Sequence, residues 1–265
     1  MDIGVCVASH VGDIDYVVRA EELGYSHAWL ADSQMLWSDC YAALALVADR
    51  TSTINIGTGV SVSGTRPAPV TAASIATINA LAPGRTFLGL GTGNTAMRIM
   101  GHKPQRIAEF DQYLEAIKPL LKGEEAEHSF GGHVSPIRHI MPDKGFVNFE
   151  DPIPLYVSGF GPKSLALAGK HADGAVLSIP PDTQAMDRTW EMIERGAAEA
   201  GRELDRENYL TCSLTTIVVL EDGETIESPR VKAEAGAMAM ASVHYSYDCL
   251  LYTSDAADEE DSVDL

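Results

Sequence analysis

The sequence has few cysteines, few basic residues and no long apolar run. Its four cysteines stand far apart among 265 residues, without the spacings typical of zinc sites or disulfide frameworks. No run of about 18 apolar residues occurs, so we predict no membrane span. The chain begins Met1-Asp2-Ile3 and lacks the basic start of a signal peptide. These absences predict a protein of the reducing cytoplasm.

Basic residues are scarce beside acidic ones. The chain holds 19 Lys and Arg against 38 Asp and Glu, a formal net charge of −19. An acidic surface repels a phosphate backbone, so we expect no nucleic-acid partner. The sequence also lacks a GKS/T phosphate loop, HExxH and clustered metal ligands. We therefore predict no metal site and disfavour a metal-dependent amidohydrolase.

The last residues differ from the rest of the chain. Residues 248–265 contain the segment "CLLYTSDAADEEDSVDL", which resembles a translated sequencing adapter. A disordered acidic tail is the alternative. We expect one domain over residues 1–247, and we assign no function to residues 248–265.

Short apolar segments alternate with helical patterns from the first residues onward. Strands that are apolar throughout are typical of a parallel sheet covered on both faces. The pattern predicts an α/β fold, a (β/α)8 TIM barrel that is incomplete at its C-terminus, with a doubly wound open sheet as the alternative. The predicted strands are Ile3–Val7, Ser26–Leu30, Ile54–Val60, Thr86–Gly91, Leu155–Ser158, Gly174–Ile179 and Leu210–Leu220.

One segment interrupts this alternation. Residues 123–154 are rich in Gly, His and Pro and contain short alternating pieces such as "FVNF". We interpret them as an insertion before the fifth barrel strand, in the form of a hairpin.

Active sites of such barrels lie at the carboxyl ends of the strands. Gly91-Thr92-Gly93-Asn94 ends a buried strand with residues that leave the backbone accessible, which suits a planar cofactor, although a plain turn is the alternative. Ser158–Gly161 precedes Pro162, which opens a helix. N–H groups at a helix start bind anions such as phosphate, although a tight turn capped by glycine would have the same sequence.

Three segments together resemble the bacterial luciferase-like superfamily. They are "WLADSQMLWSD", "IGTGVSVSGTRPAPVTAASIATINALAPGRTFLGLGTGN" and "IPLYVSGFGPKSLALAGKHADG". The resemblance spans residues 1 to about 220 and is greatest to the branch that uses the deazaflavin coenzyme F420, which includes methylenetetrahydromethanopterin reductase. It implies a (β/α)8 barrel with an insertion before strand five.

The resemblance also implies a set of cofactor-binding residues. An aspartate after strand two and a tryptophan five positions later line the deazaflavin pocket, a non-proline cis peptide after strand three supports the ring, and a turn after strand five holds the phosphate. The matching residues here are Asp32, Trp37, Gly59, Val60, Thr92, Gly93, Asn94, Ser158, Gly159, Phe160 and Gly161.

The usual acid–base residues of these relatives are absent. Ser33 stands where dehydrogenases often have histidine, Asn94 where they have an acid, and Cys6 where the methanopterin reductase has one. His10 is then the main titratable candidate near the barrel mouth, with a loop histidine of no catalytic role as the alternative. Asp32 is the second catalytic candidate.

The resemblance implies an oxidoreductase that moves a hydride between F420 and a small organic substrate. A reduced-FMN-dependent monooxygenase is the alternative of related chemistry, and a non-catalytic flavin- or deazaflavin-binding protein is the alternative of another class. We further expect a small-molecule substrate, no membrane partner and a homodimer.

Overall fold

The computed structural model describes residues 2–177, 183–236, 238–240 and 243. Contacts between Cα atoms divide the chain into a first compact unit, Met1–Ser213, and a second that begins at Leu214. The proposed domain of residues 1–247 stays a prediction. The tail of residues 248–265 lies outside the described residues.

The first unit consists of a parallel sheet, surrounding helices and one antiparallel hairpin. The parallel sheet has eight strands in the order β1-β2-β3-β5-β8-β9-β10, and β4 pairs with β5 outside this path. The strands are β1 (Gly4–Ala8), β2 (His27–Ala31), β3 (Asn55–Thr58), β4 (Ser61–Val62), β5 (Thr86–Gly91), β6 (Ala126–Phe130), β7 (His133–Ile137), β8 (Leu155–Ser158), β9 (Gly174–Leu177) and β10 (Leu210–Ser213).

Helices connect the parallel strands and cover the outer face of the sheet. They are α1 (Asp15–Glu22), α2 (Cys40–Arg50), α3 (Ala68–Leu81), α4 (Thr95–Ile99), α5 (Ile107–Leu120), α6 (Pro162–His171) and α7 (Thr183–Glu199), with a 3₁₀ turn at Pro142–Lys144. On α5, Phe110, Leu114 and Ile117 follow helical spacing and are fully buried. Burying each such side chain contributes about 1.5–3 kcal/mol, which fixes this helix against the sheet.

The inner face of the sheet is filled by an aromatic layer, defined here as Trp29, Phe87 and Tyr156. The ring centroids of Trp29 and Phe87 are 4.3 Å apart, and those of Phe87 and Tyr156 are 5.4 Å apart. Val176, Leu210 and Cys212 of β9 and β10 pack against the same layer. Side chains from β2, β5, β8, β9 and β10 therefore share one layer, so the sheet curls around its inner face as in a barrel.

Glycines make room for the aromatic layer. A Cβ on Gly57 would lie 2.4 Å from Cδ2 of Phe87, and one on Gly174 would lie 2.8 Å from Cδ1 of Tyr156. Real Cβ atoms do not approach so closely, so these strand positions exclude any larger residue.

The predicted strand Ile54–Val60 is shorter in the structure, where it forms β3, and the short strand β4 follows it beyond the predicted range. β3 pairs with the first residues of β5, through Ile56 with Thr86, and β4 pairs with its last, through Ser61 with Leu90. Gly59 and Val60 lie between the two strands, and the peptide bond that joins them is cis. The third barrel strand is thus interrupted at the carboxyl edge of the sheet.

Other elements differ from the sequence-based prediction. The strand predicted over Leu210–Leu220 ends at Ser213, because Ile217 and Val219 are 82% and 79% exposed and pair with no neighbouring strand in the described part of the chain. Strand β9 is described to Leu177, and the predicted positions 178 and 179 lie outside the described residues. Helix α4 was not predicted. The hairpin β6–β7 lies in the predicted insertion.

Within residues 2–177 and 183–236 no helix is long and apolar enough to span a bilayer.

Candidate functional site

Small residues line the inner face above the aromatic layer, at the carboxyl ends of the strands. We call Ala8, Ala31, Gly91 and Ser158 the upper layer. Ala31 and Ser158 lie two residues beyond Trp29 and Tyr156, Gly91 lies four beyond Phe87, and Ala8 pairs with Ala31. Ala8 is exposed, and Ala31 and Ser158 are half-buried. Packed barrels fill this level with branched side chains. Here the side chains are small, at the end of the sheet where barrel active sites lie.

Val60 lies beside the upper layer. A Cβ on Gly89 would lie 3.1 Å from Cγ1 of Val60, and a Cβ on Gly91 would lie 3.0 Å from Cγ2. Gly59 is closely packed on its other side, because a Cβ added at this position would lie 2.6 Å from Cβ of Trp29. The cis peptide stands where the resemblance implied. The Val60 side chain lies over the end of β5.

The strand-end glycines are explained by packing within the protein. Gly91 accommodates Val60, and Gly93 has a φ of +69° with Cγ1 of Val62 only 2.3 Å from where its Cβ would stand. Packing against Val60 and Val62 is therefore enough to require these glycines, and their role beside a cofactor ring stays a prediction. Thr92 and Asn94 are half-buried at the same edge, and Asn94 precedes α4 and accepts a hydrogen bond from Nε of Arg98 at 2.6 Å.

Asp32 lies at the end of β2 in a buried polar network. Its side chain is 2% exposed, and Nη1 of Arg66 lies 2.5 Å from Oδ2. The Ser61 hydroxyl donates to Oδ2 at 3.0 Å, and Nε2 of Gln34 donates to Oδ1 at 2.7 Å. Arg66 also pairs with Asp39 at 2.7 Å and lies over the Tyr41 ring, 5.0 Å from its centroid. The carboxylate thus faces α2 and the loop before α3.

Burial and pairing act in opposite directions on this network. Burial raises the pKa of the Asp32 carboxyl, and the Arg66 guanidinium, the Ser61 hydroxyl and the Val62 N–H oppose that rise without cancelling it. Burial lowers the pKa of Arg66, but Asp32, Tyr41 and Asp39 together outweigh it, and the net shift is upward. Both directions follow from one buried ion pair, in which the carboxylate is costly without its partner.

A cavity of about 190 Å³ adjoins the Asp32 network. Trp37 lines it and is 41% exposed, and Met35 beside it has a φ of +63°. The structure thus brings Asp32 and Trp37 together. Thr92, Asn94 and Ser158 lie at the same edge of the sheet, but they are not among the described residues that line this cavity. The residues around the cavity are Asp32, Gln34, Met35, Trp37, Ser38, Asp39 and Arg66.

A larger cavity, of about 260 Å³, lies at the opposite end of the sheet. It adjoins the starts of β2, β3 and β5, where His27, Asn55 and Thr86 stand. Arg85 borders it, but its guanidinium donates to the Thr51 hydroxyl and to three backbone carbonyls. Barrel enzymes place their chemistry at the carboxyl ends, so we assign the functional site to the Asp32 end.

The turn Ser158–Gly161 differs from the expected anion cradle. The N–H of Gly159 donates to the Val176 carbonyl at 3.3 Å, and that of Gly161 donates to the Ser164 hydroxyl at 3.2 Å. Both N–H groups therefore have partners within the chain, and the phosphate-binding role of the turn stays a prediction. Phe160 is 45% exposed at the rim. The N–H groups of the first turn of α6 are the remaining backbone donors at this position.

His10 is exposed in the loop between β1 and α1. Its carbonyl accepts from the N–H of Asp13 at 3.1 Å, and its ring lies against Gly12. It stands at the carboxyl edge of the sheet but outside the described lining of the Asp32 cavity. The structure leaves its predicted catalytic role untested.

Sequence reasoning assigned no role to Arg66, Ser61 or Gln34, which hold the Asp32 carboxylate. The signal available was slight: Arg66 is the first basic residue after Arg50 and stands among small residues in "SVSGTRPAP". Its pairing with a residue 34 positions earlier is a property of the folded chain.

One group of potential metal ligands lies on the outer face, between α5 and α6. Asp111, Glu115 and His171 are close enough to share an ion, but Lys170 places its ammonium 2.8 Å from Asp111 and 3.1 Å from Glu115. His171 contacts Asp111 at 2.5 Å. A cation is thus already supplied by the chain, and we interpret the group as an ion-pair network that joins the two helices.

The curled parallel sheet with a polar site at its carboxyl edge defines a barrel protein of the kind that hosts small-molecule chemistry. The chain belongs to the luciferase-like monooxygenase family, whose profile matches residues 12–259.

Similarity to individual proteins points to the F420-using members. The chain is 32% identical over 199 residues to the 5,10-methylenetetrahydromethanopterin reductase of Methanolobus tindarius, covering 71% of this chain and 56% of that protein. It is 32% identical over 203 residues to the F420-dependent hydroxymycolic acid dehydrogenase of Mycobacterium tuberculosis, covering 72% and 54%. The chain therefore spans little more than half the length of these relatives.

The fold resembles that of a solved F420 enzyme. The coenzyme F420-dependent tetrahydromethanopterin reductase of Methanopyrus kandleri superposes with a TM-score of 0.65 at 24% identity, over 81% of this chain and 65% of that one. This likeness confirms the predicted barrel-type fold.

Proposed function

We propose that this protein is an oxidoreductase that transfers a hydride between coenzyme F420 and a small organic substrate. One observation carries the proposal: the upper layer of the curled sheet is built from small residues, above a filled aromatic layer and beside Val60. Barrel enzymes place their chemistry at this end of the sheet. A relative at 32% identity, the hydroxymycolic acid dehydrogenase of Mycobacterium tuberculosis, is F420-dependent by its name.

The residues present fit a deazaflavin. A planar ring needs an open level bounded by apolar surface, and Ala8, Ala31 and Val60 supply that surface. Thr92 and Asn94 offer polar groups along one side of the space, and Ser158 along another. A phosphate would be held by the first turn of α6, which Pro162 opens, rather than by the occupied N–H groups of Gly159 and Gly161.

Bound F420 would supply a carbon centre that accepts or donates a hydride. The protein would hold the ring against Val60 and exclude water from its inner side with the aromatic layer. The Asp32 carboxylate is held by Arg66, Ser61 and Gln34, and we assign it the positioning of Arg66 and Gln34 at the cavity. His10 stands at the same edge and is our candidate for proton transfer to or from the substrate.

The test is a fluorescence titration of F420 and of FMN against the full chain and two variants. Ser158→Phe fills the upper layer, whereas Ser129→Phe adds the same side chain on the exposed strand β6 and serves as the control. We expect F420 to bind more tightly than FMN and Ser158→Phe to weaken it at least about tenfold, or about 1.4 kcal/mol, with Ser129→Phe unchanged.

Other outcomes separate the alternatives. Tighter FMN binding with oxygen consumption would favour the monooxygenase. F420 binding without bleaching of its visible absorbance by any of a panel of alcohols and reduced pterins would favour a non-catalytic binding protein. Binding of neither ligand would contradict the proposal.

We also propose a homodimer located in the cytoplasm. The outward faces of α2 and α3 carry apolar side chains: Leu46 is 42%, Val70 49% and Leu81 52% exposed. Apolar side chains on neighbouring helices are typical of a subunit interface. Light scattering on the purified chain would show twice the monomer mass. The scattered cysteines support the reducing location.

A further inference from the structure

A long stretch of this acidic chain carries no acid. Residues 50–108 contain five arginines and one lysine but no Asp or Glu, in a chain with 38 acids. At the average frequency of the chain a stretch of that length would hold about eight acids. The stretch includes the ends of the third and fourth barrel strands, and four of its six cations follow those ends: Arg66, Arg98, Lys103 and Arg106.

Half of these charges lie in one short segment. Arg98, Lys103 and Arg106 are all exposed between β5 and α5, and we call residues 98–106 the basic segment. Arg106 pairs with Glu109, the first acid after the stretch, at 2.5 Å. Of the remaining cations, Arg50 pairs with Asp15. The guanidiniums of Arg66 and Arg85 are held by the contacts described above.

The basic segment is anchored to the strand that supports the Asp32 network. Met97 and Ala96 pack on Val62 of β4, and a Cβ on Gly64 would lie 2.6 Å from Cε of Met97. The Ser63 hydroxyl contacts Oε1 of Gln105. Ser61 of the same strand donates to Asp32. The segment therefore borders the site rather than a remote surface.

We propose that the basic segment is an anion-binding surface, which holds the acidic side chain of a ligand whose ring or body lies in the upper layer. The chemistry recognised is phosphate or carboxylate, carried either by the cofactor's own side chain or by an anionic substrate. The proposal rests on the proposed function for the position of the ligand, whereas the charge argument is independent of it. Local positive potential in a chain of net charge −19 attracts anions to this edge and away from the rest of the surface.

The experiment compares two charge reversals in the full chain. Lys103→Glu changes the basic segment, and Lys144→Glu makes the same change in net charge at an exposed residue of the 3₁₀ turn. The ligands are F420, whose side chain bears a phosphate and carboxylates, a deazaflavin with only a ribityl chain, and inorganic pyrophosphate. Binding is followed by fluorescence, or by NMR for pyrophosphate, at about 50 and about 500 mM salt, which span strong and weak screening.

We expect Lys103→Glu to weaken F420 about three- to tenfold at low salt, the range for exchanging an exposed attraction for a repulsion. High salt should abolish this difference. The ribityl deazaflavin and Lys144→Glu should show no change. If F420 is unaffected but pyrophosphate binding is lost in Lys103→Glu alone, the surface is confirmed and its anion comes from the substrate.

The proposal is overturned if neither F420 nor pyrophosphate distinguishes Lys103→Glu from Lys144→Glu. Failure of the ribityl deazaflavin to bind the unaltered chain would instead count against the proposed function. The pyrophosphate titration would still report on the basic segment in that case, so the two failures remain distinguishable.

Discussion

Replacing Arg66 by methionine should destabilise the protein through the carboxylate it leaves behind. Asp32 is 2% exposed and Arg66 14% exposed, so the pair is shielded from water. Breaking a buried pair from one side costs about 3–5 kcal/mol. Asp32 would keep its hydrogen bonds from Ser61 and Gln34, which favours the lower end of this range. The loss of the contact between the Arg66 guanidinium and the Tyr41 ring adds about 0.5–1 kcal/mol.

We therefore expect Arg66→Met to lower the free energy of unfolding by about 3 kcal/mol at pH 7. For a unit of this size that corresponds to about 6–12 °C in Tm. Urea unfolding followed by circular dichroism gives the first quantity and a thermal melt the second. Arg50→Met is the matched control, since Arg50 and its partner Asp15 are 49% and 73% exposed. Its loss should cost at most about 1 kcal/mol.

A double-mutant cycle isolates the pair. Asp32→Asn combined with Arg66→Met should cost less than the two single changes together by at least about 1 kcal/mol, because no charge stays buried. The pH dependence has a definite sign. Without Arg66 the pKa of Asp32 rises further, so the folded state binds a proton that the unfolded state has lost, and the deficit should shrink as the pH falls. Additive single effects, or a cost for Arg66→Met below about 0.5 kcal/mol, would refute the reasoning.

Two further predictions concern the ends of the sheet. Oε1 of Glu21 accepts the N–H groups of Ser52, Thr53 and Ile54; desolvation raises its pKa, but these bonds outweigh it and lower the pKa from 4.5 to about 2. Its stabilisation is complete above pH 4.5 and lost as the pH falls toward 2. Glu21→Gln should thus cost about 1 kcal/mol at pH 7 and almost nothing near pH 2 in urea unfolding, and a cost independent of pH would contradict this. Gly159→Ala should cost about 1–3 kcal/mol, because its Cβ would stand 3.0 Å from the carbonyl carbon of Ser164, whereas Gly161→Ala meets open space and should be nearly neutral. Equal melting temperatures for the two alanine variants would show that the turn before α6 tolerates the shift.

The sequence by itself determined the elements whose ends are marked by residues with strong local preferences. Thr86–Gly91 and Leu155–Ser158 were predicted with the bounds they have, because each is an apolar run confined by glycine or proline. The parallel arrangement followed from strands that are apolar on both faces. The edge of the sheet at which the functional residues stand followed in turn from that arrangement.

Pairings between distant residues were decided only in the tertiary structure. The apolar run after Ser213 has the composition of a strand, but a strand needs a neighbour, and pattern alone cannot supply one. Gly91 and Gly93 suggested space for a ligand, yet the space beside them holds Val60 and Val62, which arrive from another strand. A glycine shows that something approaches the backbone closely without showing whether it is a ligand or the protein itself.

The same reason accounts for the polar site. Asp32 was identified from its position, but its partner Arg66 and the enclosure that makes the pair costly depend on how two loops close over the end of β2. The N–H groups of Gly159 and Gly161 were predicted to be available, and they are taken by Val176 and Ser164. Hydrogen-bond donors are local in the sequence, whereas their acceptors are chosen by packing, because a buried donor takes whichever acceptor the fold brings within reach.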